Sequence, residues 1–334
     1  MTRHRIRLIL FILISTWIST LWLERSFFDE SAQWMALSVR RVPLFAVTLL
    51  IYAAFINNIP KKLRQQQYDS RSLLAHLTEL YSRRTLVQLW LGYRLESRYA
   101  QTILGILWVI LLPLLTSLVL AFAFTQFVGY SGVVDNVPYV AFLLAGLSIF
   151  DVGHSIILRA QESLKGSMHI ISRVYFPREI VLLVMVGEVL VDFCVTFVAM
   201  VVINALFFQI YPNIYYVFLP LIVLIMVAFS LGVAFIVAWY GLLINDLQPL
   251  LTIIMQLLFY LTVLFSRSSA SSLAIILLNV NPLALLLEAF RDIVLFARPP
   301  NGLNLAFAAC LAITLLYVGY TLFKVNENRF VEVA

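Results

Sequence analysis

Hydrophobic and polar positions are arranged along this chain in long blocks. Apolar runs of the length that crosses a bilayer, about 20 residues, recur at 8–23, 43–59, 103–128, 138–158, 180–207, 216–240, 247–266 and 303–323. Each predicts a membrane-spanning helix. The second is short and ends in Asn57-Asn58-Ile59-Pro60. Two stretches depart from the block pattern. In 61–102, Leu73, Leu74, Leu77, Leu80 and Tyr81 fall on one helical face. Leu86, Leu89, Trp90 and Tyr93 then form a second apolar stripe, with Arg84, Gln88, Arg94 and Arg98 off it. This predicts an amphipathic helix in the membrane interface. It runs into the span at 103 with no loop between. In 267–302, the aliphatic segments Leu273 to Leu278 and Leu283 to Leu287 are divided by Asn281-Pro282. A residue before proline avoids the α region. The segment therefore predicts two short helices, dipping into the bilayer as a re-entrant pair where protein or a wet cavity can satisfy their ends.

Composition agrees. Hydrophobic residues make up 62% of the 334 and charged residues 12%, where a soluble domain carries about 25% charged. The fold class is all-α and polytopic. The net charge of +6 speaks to topology rather than to nucleic acid. Lys61, Lys62, Arg64, Arg71, Arg83, Arg84, Arg94 and Arg98 crowd one segment, and Arg159, Lys165, Arg173 and Arg178 another. The alternate connections hold only Arg25, Arg40, Arg41, Arg267, Arg291 and Arg298. The rule that positive loops stay inside puts both termini in the cytoplasm. Met1 to Arg7 and Leu8 to Thr20 have the form of a signal peptide. Leu21-Trp22-Leu23-Glu24-Arg25 offers no small-residue cleavage site, so a retained anchor helix is expected.

Cys194 and Cys310 lie in apolar runs and are expected as small buried hydrophobes. His4, His76, His154 and His169 are dispersed, without the spacing of a metal site. No catalytic constellation is visible. The sequence has no Gly-x-x-x-x-Gly-Lys-Ser/Thr motif, so it carries no P-loop of its own.

Several motifs remain. Arg98-Tyr99 leads through Leu104-Gly105-Ile106-Leu107-Trp108 to Pro113-Leu114. Val174-Tyr175-Phe176-Pro177-Arg178-Glu179 precedes a span. Asn245-Asp246-Leu247-Gln248 makes a predicted cytoplasmic turn, and Asn281-Pro282 is followed by Phe290-Arg291. As a set, over about 85–334, these resemble the ABC-2 type polysaccharide exporter permeases, the membrane subunits that export O-antigen, capsule and teichoic acid. Tyr93-Arg94 stands where the family often has Arg-Asp, and Asn245-Asp246 replaces another Arg-Asp. The resemblance implies a six-span core over 103–334. It would be preceded by an additional two-span hairpin over 1–60 and an interface or gate segment over 61–102. It also implies a homodimer in the bacterial inner membrane, with two ABC ATPase subunits that hold ATP and Mg. The cargo would be a lipid-linked glycan, and the chain itself would bind no cofactor.

On this reading 165–179 is the coupling helix, presenting Lys165, His169, Arg173, Tyr175, Phe176, Pro177, Arg178 and Glu179 to the ATPase. Tyr93, Arg94, Arg98 and Tyr99 would receive substrate phosphate, since arginine offers a planar fork to phosphate. Generic attraction to anionic lipid is the alternative. Trp108, Phe122, Phe124, Phe127, Tyr130, Tyr139, Phe142 and Phe150 would line a glycan channel or form an interfacial aromatic belt. Asp151, His154, Glu188 and Asp192 lie inside spans. They would line a wet path or tie helices together. The extra hairpin is expected at the periphery. Two rivals stay open: an ABC-2 permease for a drug or small lipid, and a polytopic glycan polymerase or acyltransferase.

Overall fold

A computed structural model of the chain describes residues 83–100, 103–129, 132–171, 177–264 and 281–327. The N-terminal hairpin, the segment 61–82, Tyr130, residues 172–176 and the first half of the predicted re-entrant pair lie outside these residues. Helices α1 (Arg84–Tyr99), α2 (Leu107–Phe127), α3 (Tyr139–Gly166), α4 (Met168–Ile171) and α5 (Glu179–Phe207) come first. After a 3₁₀ turn at Ile214–Phe218 follow α6 (Leu219–Leu243), α7 (Leu247–Val263), α8 (Pro282–Val294) and α9 (Gly302–Asn326). Among the described residues, five segments are long and apolar enough to cross a membrane: α2, α3, α5, the 3₁₀ turn continued by α6, and α9. The 17-residue α7 is shorter.

Helix α3 is the centre, touching α2, α5, α6, α7 and α8. Its small residues, among them Ala141, Ala145, Gly146, Ser148, Gly153 and Ala160, are buried and let neighbours approach closely. The most extensive helix pair is α6 with α9. A Cβ on Gly319 would run into the carbonyl oxygen of Gly232, so the two backbones touch. Gly319→Leu should therefore lower the melting temperature in detergent, since overpacking costs about 1–3 kcal/mol. An unchanged melt would mean that this crossing does not hold the helices together.

Between α2 and α3 a short hairpin pairs Val133–Val134 with Val137–Pro138. Its turn residues Asp135 and Asn136 have φ of 47° and 68°, as a two-residue hairpin of this hand requires. Helix α8 begins as the sequence indicates. Asn281 is extended and its side chain accepts from the Leu283 N–H, with Pro282 in the first turn.

Arg291 of α8 is buried, with its guanidinium 3.5 Å from the centre of the Phe142 ring. It donates to the carbonyls of Val263 at 2.7 Å and Thr262 at 3.5 Å, and to Phe142 O at 3.2 Å. The Tyr139 hydroxyl donates to Leu264 O at 2.8 Å. The last carbonyls of α7, which a helix cannot satisfy itself, thus gain partners. The guanidinium leaves no room for a Cβ at Gly146.

Other expectations need correction. The step from α1 to the first core span is broken, since α1 ends at Tyr99 and α2 starts at Leu107. Gly105 between them takes φ +52°, which ends any continuous helix. The third helix runs past 158 to Gly166, so Arg159 and Lys165 belong to it. The stretch 165–179 is not a single helix. Lys165 lies in the last turn of α3, Ser167 forms a turn, α4 has four residues, and Glu179 opens α5. Cys194 and Cys310 are exposed on the helix surfaces rather than buried. Hydrocarbon suits a thiol as well as a protein core does, so burial does not follow from an apolar run.

Candidate functional site

Arg94 and Arg98 stand four residues apart on α1, and Glu188 and Asp192 four apart on α5. Residues at that spacing share a helix face, and here the two faces meet. Arg94 Nε lies 2.6 Å from Glu188 Oε1, and Arg98 Nη1 lies 2.6 Å from Asp192 Oδ2. Arg94 Nη1 also donates to Ser163 Oγ at 3.1 Å. Arg159 of α3 brings a second guanidinium to Asp192 Oδ2, at 3.7 Å. Between the ion pairs and the start of α1, Leu91 packs over Gly187, where a Cβ would stand 3.1 Å from the Leu91 Cδ2 atom.

Arg98, Asp192 and Arg159 border a cavity of about 390 Å³ among α1, α2, α3 and α5. Arg98, Arg159, Asp192 and Asp151 contribute charge to its wall, and Thr116, Ser148 and Thr196 contribute hydroxyls. Trp108, Leu112, Pro113 and Phe193 supply apolar surface. Pro113 has no N–H for the carbonyl of Val109 four residues earlier. The Thr196 hydroxyl donates to that carbonyl instead, at 3.2 Å. Asp192, one turn before Thr196, is thus level with the first turns of α2. A volume of this size, part apolar and part charged, is within the range of small-molecule sites.

The predicted residues divide. Arg94 and Arg98 come together with Glu188 and Asp192, which sequence spacing put on one face without naming a partner. Tyr93 is exposed, and the Tyr99 side chain lies outside the described residues. Arg159 entered the sequence analysis only as a loop charge, and Ser163, Gly187 and Thr196 had no role there. A helix-period reading continued past 158 would have found Arg159 on α3.

The aromatic set also divides. Trp108, Phe122 and Phe127 are exposed on α2, while Phe124 is half-buried. Tyr139, Phe142 and Phe150 are buried within the chain and cannot line a channel through this conformation. Tyr139 caps α7, Phe142 lies under Arg291, and Phe150 meets Phe259 edge-on with ring centres 5.8 Å apart. Asp151 is exposed beside His154, with 3.9 Å between Oδ1 and Nδ1.

Of the coupling residues, Arg173, Tyr175 and Phe176 lie outside the described residues. Lys165 donates to Asn245 Oδ1 at 3.2 Å, joining the two turns on that side. His169 is exposed, Arg178 is half-buried and Pro177 is buried. Glu179 is also buried and receives Lys324 Nζ at 3.1 Å. Its carboxylate therefore clasps α5 to α9 and is not a docking surface. Among the described residues, no group of His, Cys, Asp and Glu could hold a metal ion.

Long apolar helices on a buried central helix define a multi-pass α-helical membrane protein. No protein-family model matches the sequence. It is 26% identical over 257 residues to the O-antigen export system permease protein RfbA of Myxococcus xanthus, covering 76% of this chain and 97% of that one. Two O-antigen export system permease proteins RfbA of Klebsiella pneumoniae are 27% and 26% identical over 245 residues, covering 72% of this chain and 91% of theirs. These likenesses support the ABC-2 type O-antigen exporter permease family, the one its motifs resemble.

Proposed function

We infer that this chain is the transmembrane subunit of an ATP-driven exporter that moves a lipid-linked polysaccharide across the bacterial inner membrane. It works as a homodimer, both termini in the cytoplasm, with two ABC ATPase subunits carrying ATP and Mg. The chain performs no bond chemistry and binds no cofactor. The observation that carries the reading is the meeting of α1 with α5 at a charged cavity beside the start of the first core span. An interface helix held there can open or close a lateral path from the membrane, and arginines at its end offer a phosphate group partners. Likeness over most of the chain to O-antigen export permeases supports the cargo class. The connection 167–178 would receive the push of the ATPase. The exposed rings of Trp108, Phe122 and Phe127 on α2 are the aromatics that remain for a glycan path, and the 1–60 hairpin would stay peripheral.

Deletion of the gene should leave full-length lipid-linked glycan inside the cell and none on the surface. Complementation with Arg94→Ala plus Arg98→Ala should restore export only in part. Charge-assisted hydrogen bonds contribute about 1.5–3 kcal/mol, so export at limiting substrate should fall at least several-fold. Antibody labelling of intact and permeabilised cells separates the two pools. A deletion strain that makes no polymer at all would point to a polymerase or acyltransferase. Normal surface polymer would exclude a polysaccharide cargo.

A further inference from the structure

The ion pairs between α1 and α5 do more than fix a helix. We propose that Glu188 and Asp192 are displaceable counter-ions. They hold α1 docked on α5 while the cavity is empty, and a phosphate headgroup that takes Arg94 and Arg98 from them undocks the helix. The proposal rests on the exporter reading and adds the event by which cargo would open the path.

The docking joins the two ion pairs to a thin apolar contact. Leu86, Leu89 and Tyr93 of α1 are exposed, and Val87, Trp90 and Leu91 are only half-buried. Glu188 Oε1 is enclosed 2.6 Å from Arg94 Nε, and one helical turn on Arg98 Nη1 donates to Asp192 Oδ2 at 2.6 Å. Carboxylates this enclosed give up their arginines only to an anion that binds the guanidiniums better. Phosphate is such an anion, because its oxygens match the guanidinium fork and carry more charge than a carboxylate. Both arginine–carboxylate pairs are in register, so one rotation of α1 breaks both. Gly105, at φ +52° with open space where a Cβ would lie, provides a turn between α1 and α2. Helix α1 can therefore move without bending the first span.

Charge balance makes the exchange necessary. Arg94, Arg98 and Arg159 stand against Glu188, Asp192 and Asp151, three cations against three anions. A doubly charged headgroup added to that set meets three carboxylates at close range. It binds well only if carboxylates give up their arginines. Arg98 and Arg159 converge on Asp192 at 2.6 and 3.7 Å. The Asp192 carboxylate thus occupies the position where two guanidiniums would hold a phosphate.

The test uses the full permease with its ATPase in phosphatidylcholine nanodiscs. Leu91→Cys and Gly187→Cys, with Cys194→Ser and Cys310→Ser, are joined by a short crosslinker. A polyprenyl diphosphate glycolipid should lower the crosslinking rate by at least about fivefold, since even one exposed ion pair is worth up to about that factor, while stimulating the ATPase. Inorganic diphosphate acting alone would assign the effect to the phosphates, and action of the lipid only would assign it to a membrane-held headgroup; both support the latch. Equal release by phosphatidylglycerol would overturn it in favour of unspecific anionic lipid. ATPase stimulation with unchanged crosslinking would overturn the latch and leave the exporter reading standing. Neither response to the glycolipid would overturn both. Glu188→Gln with Asp192→Asn should give low crosslinking with or without lipid. The reversed pair Arg94→Glu with Glu188→Arg should restore docking but blunt release. Parental behaviour of both variants would also overturn the proposal.

Discussion

Arg291→Leu is expected to abolish export and leave little folded protein. The side chain is 3% exposed and serves three carbonyls from two other helices. Leucine fills similar space but takes the guanidinium away from all three oxygens. An unsatisfied buried polar group costs about 1–3 kcal/mol. The two at the end of α7, with the third weakened, remove a large part of the stability of a typical domain, about 5–15 kcal/mol. Arg291→Lys keeps one charge and loses the fork, so an intermediate loss is expected. Gly146→Leu should resemble Arg291→Leu, because its side chain would take the guanidinium's place. Size-exclusion profiles and melting curves in detergent measure this directly. A monodisperse Arg291→Leu protein with the parental melting temperature would contradict it.

The second large effect is expected at the connection proposed to meet the ATPase. Tyr175→Asp should reduce export to background while the permease stays folded and ATP is still hydrolysed. A carboxylate pushed into an apolar contact costs several kcal/mol, enough to weaken a mechanical joint by orders of magnitude. Insertion is untouched, because the residue lies between spans. Transport and ATP hydrolysis, measured together on the reconstituted complex, separate uncoupling from misfolding. Normal export by this variant would remove the 167–178 connection from the coupling path.

Much of this architecture was legible in the chain. Apolar blocks located every long helix among the described residues, and Asn281-Pro282 marked the start of α8. The period of α1 and its arginines were also clear. Less legible were contacts between distant segments. Spacing put Glu188 and Asp192 on one face, but nothing local says that Arg94 and Arg98, more than ninety residues earlier, would meet it. Arg291 read as an outer-side charge because its worth depends on carbonyls of α7 and α3. The aromatics misled for a similar reason. Tyr139, Phe142 and Phe150 look like channel rings by composition, yet each is committed to a packing partner that only the folded chain supplies. Lys324 and Glu179 likewise became a clasp only when α9 met α5.

The central claim is that this chain, with an ABC ATPase, carries a lipid-linked glycan across a bilayer. The most direct measurement places the purified complex in proteoliposomes with a fluorescent polyprenyl diphosphate glycan and scores protection of that glycan from an added glycosidase. With the ATPase facing outward, ATP and Mg should move the glycan to the protected interior. Arg94→Ala plus Arg98→Ala should slow that movement several-fold. Protection that is the same without ATP, or with the permease omitted, would contradict the account.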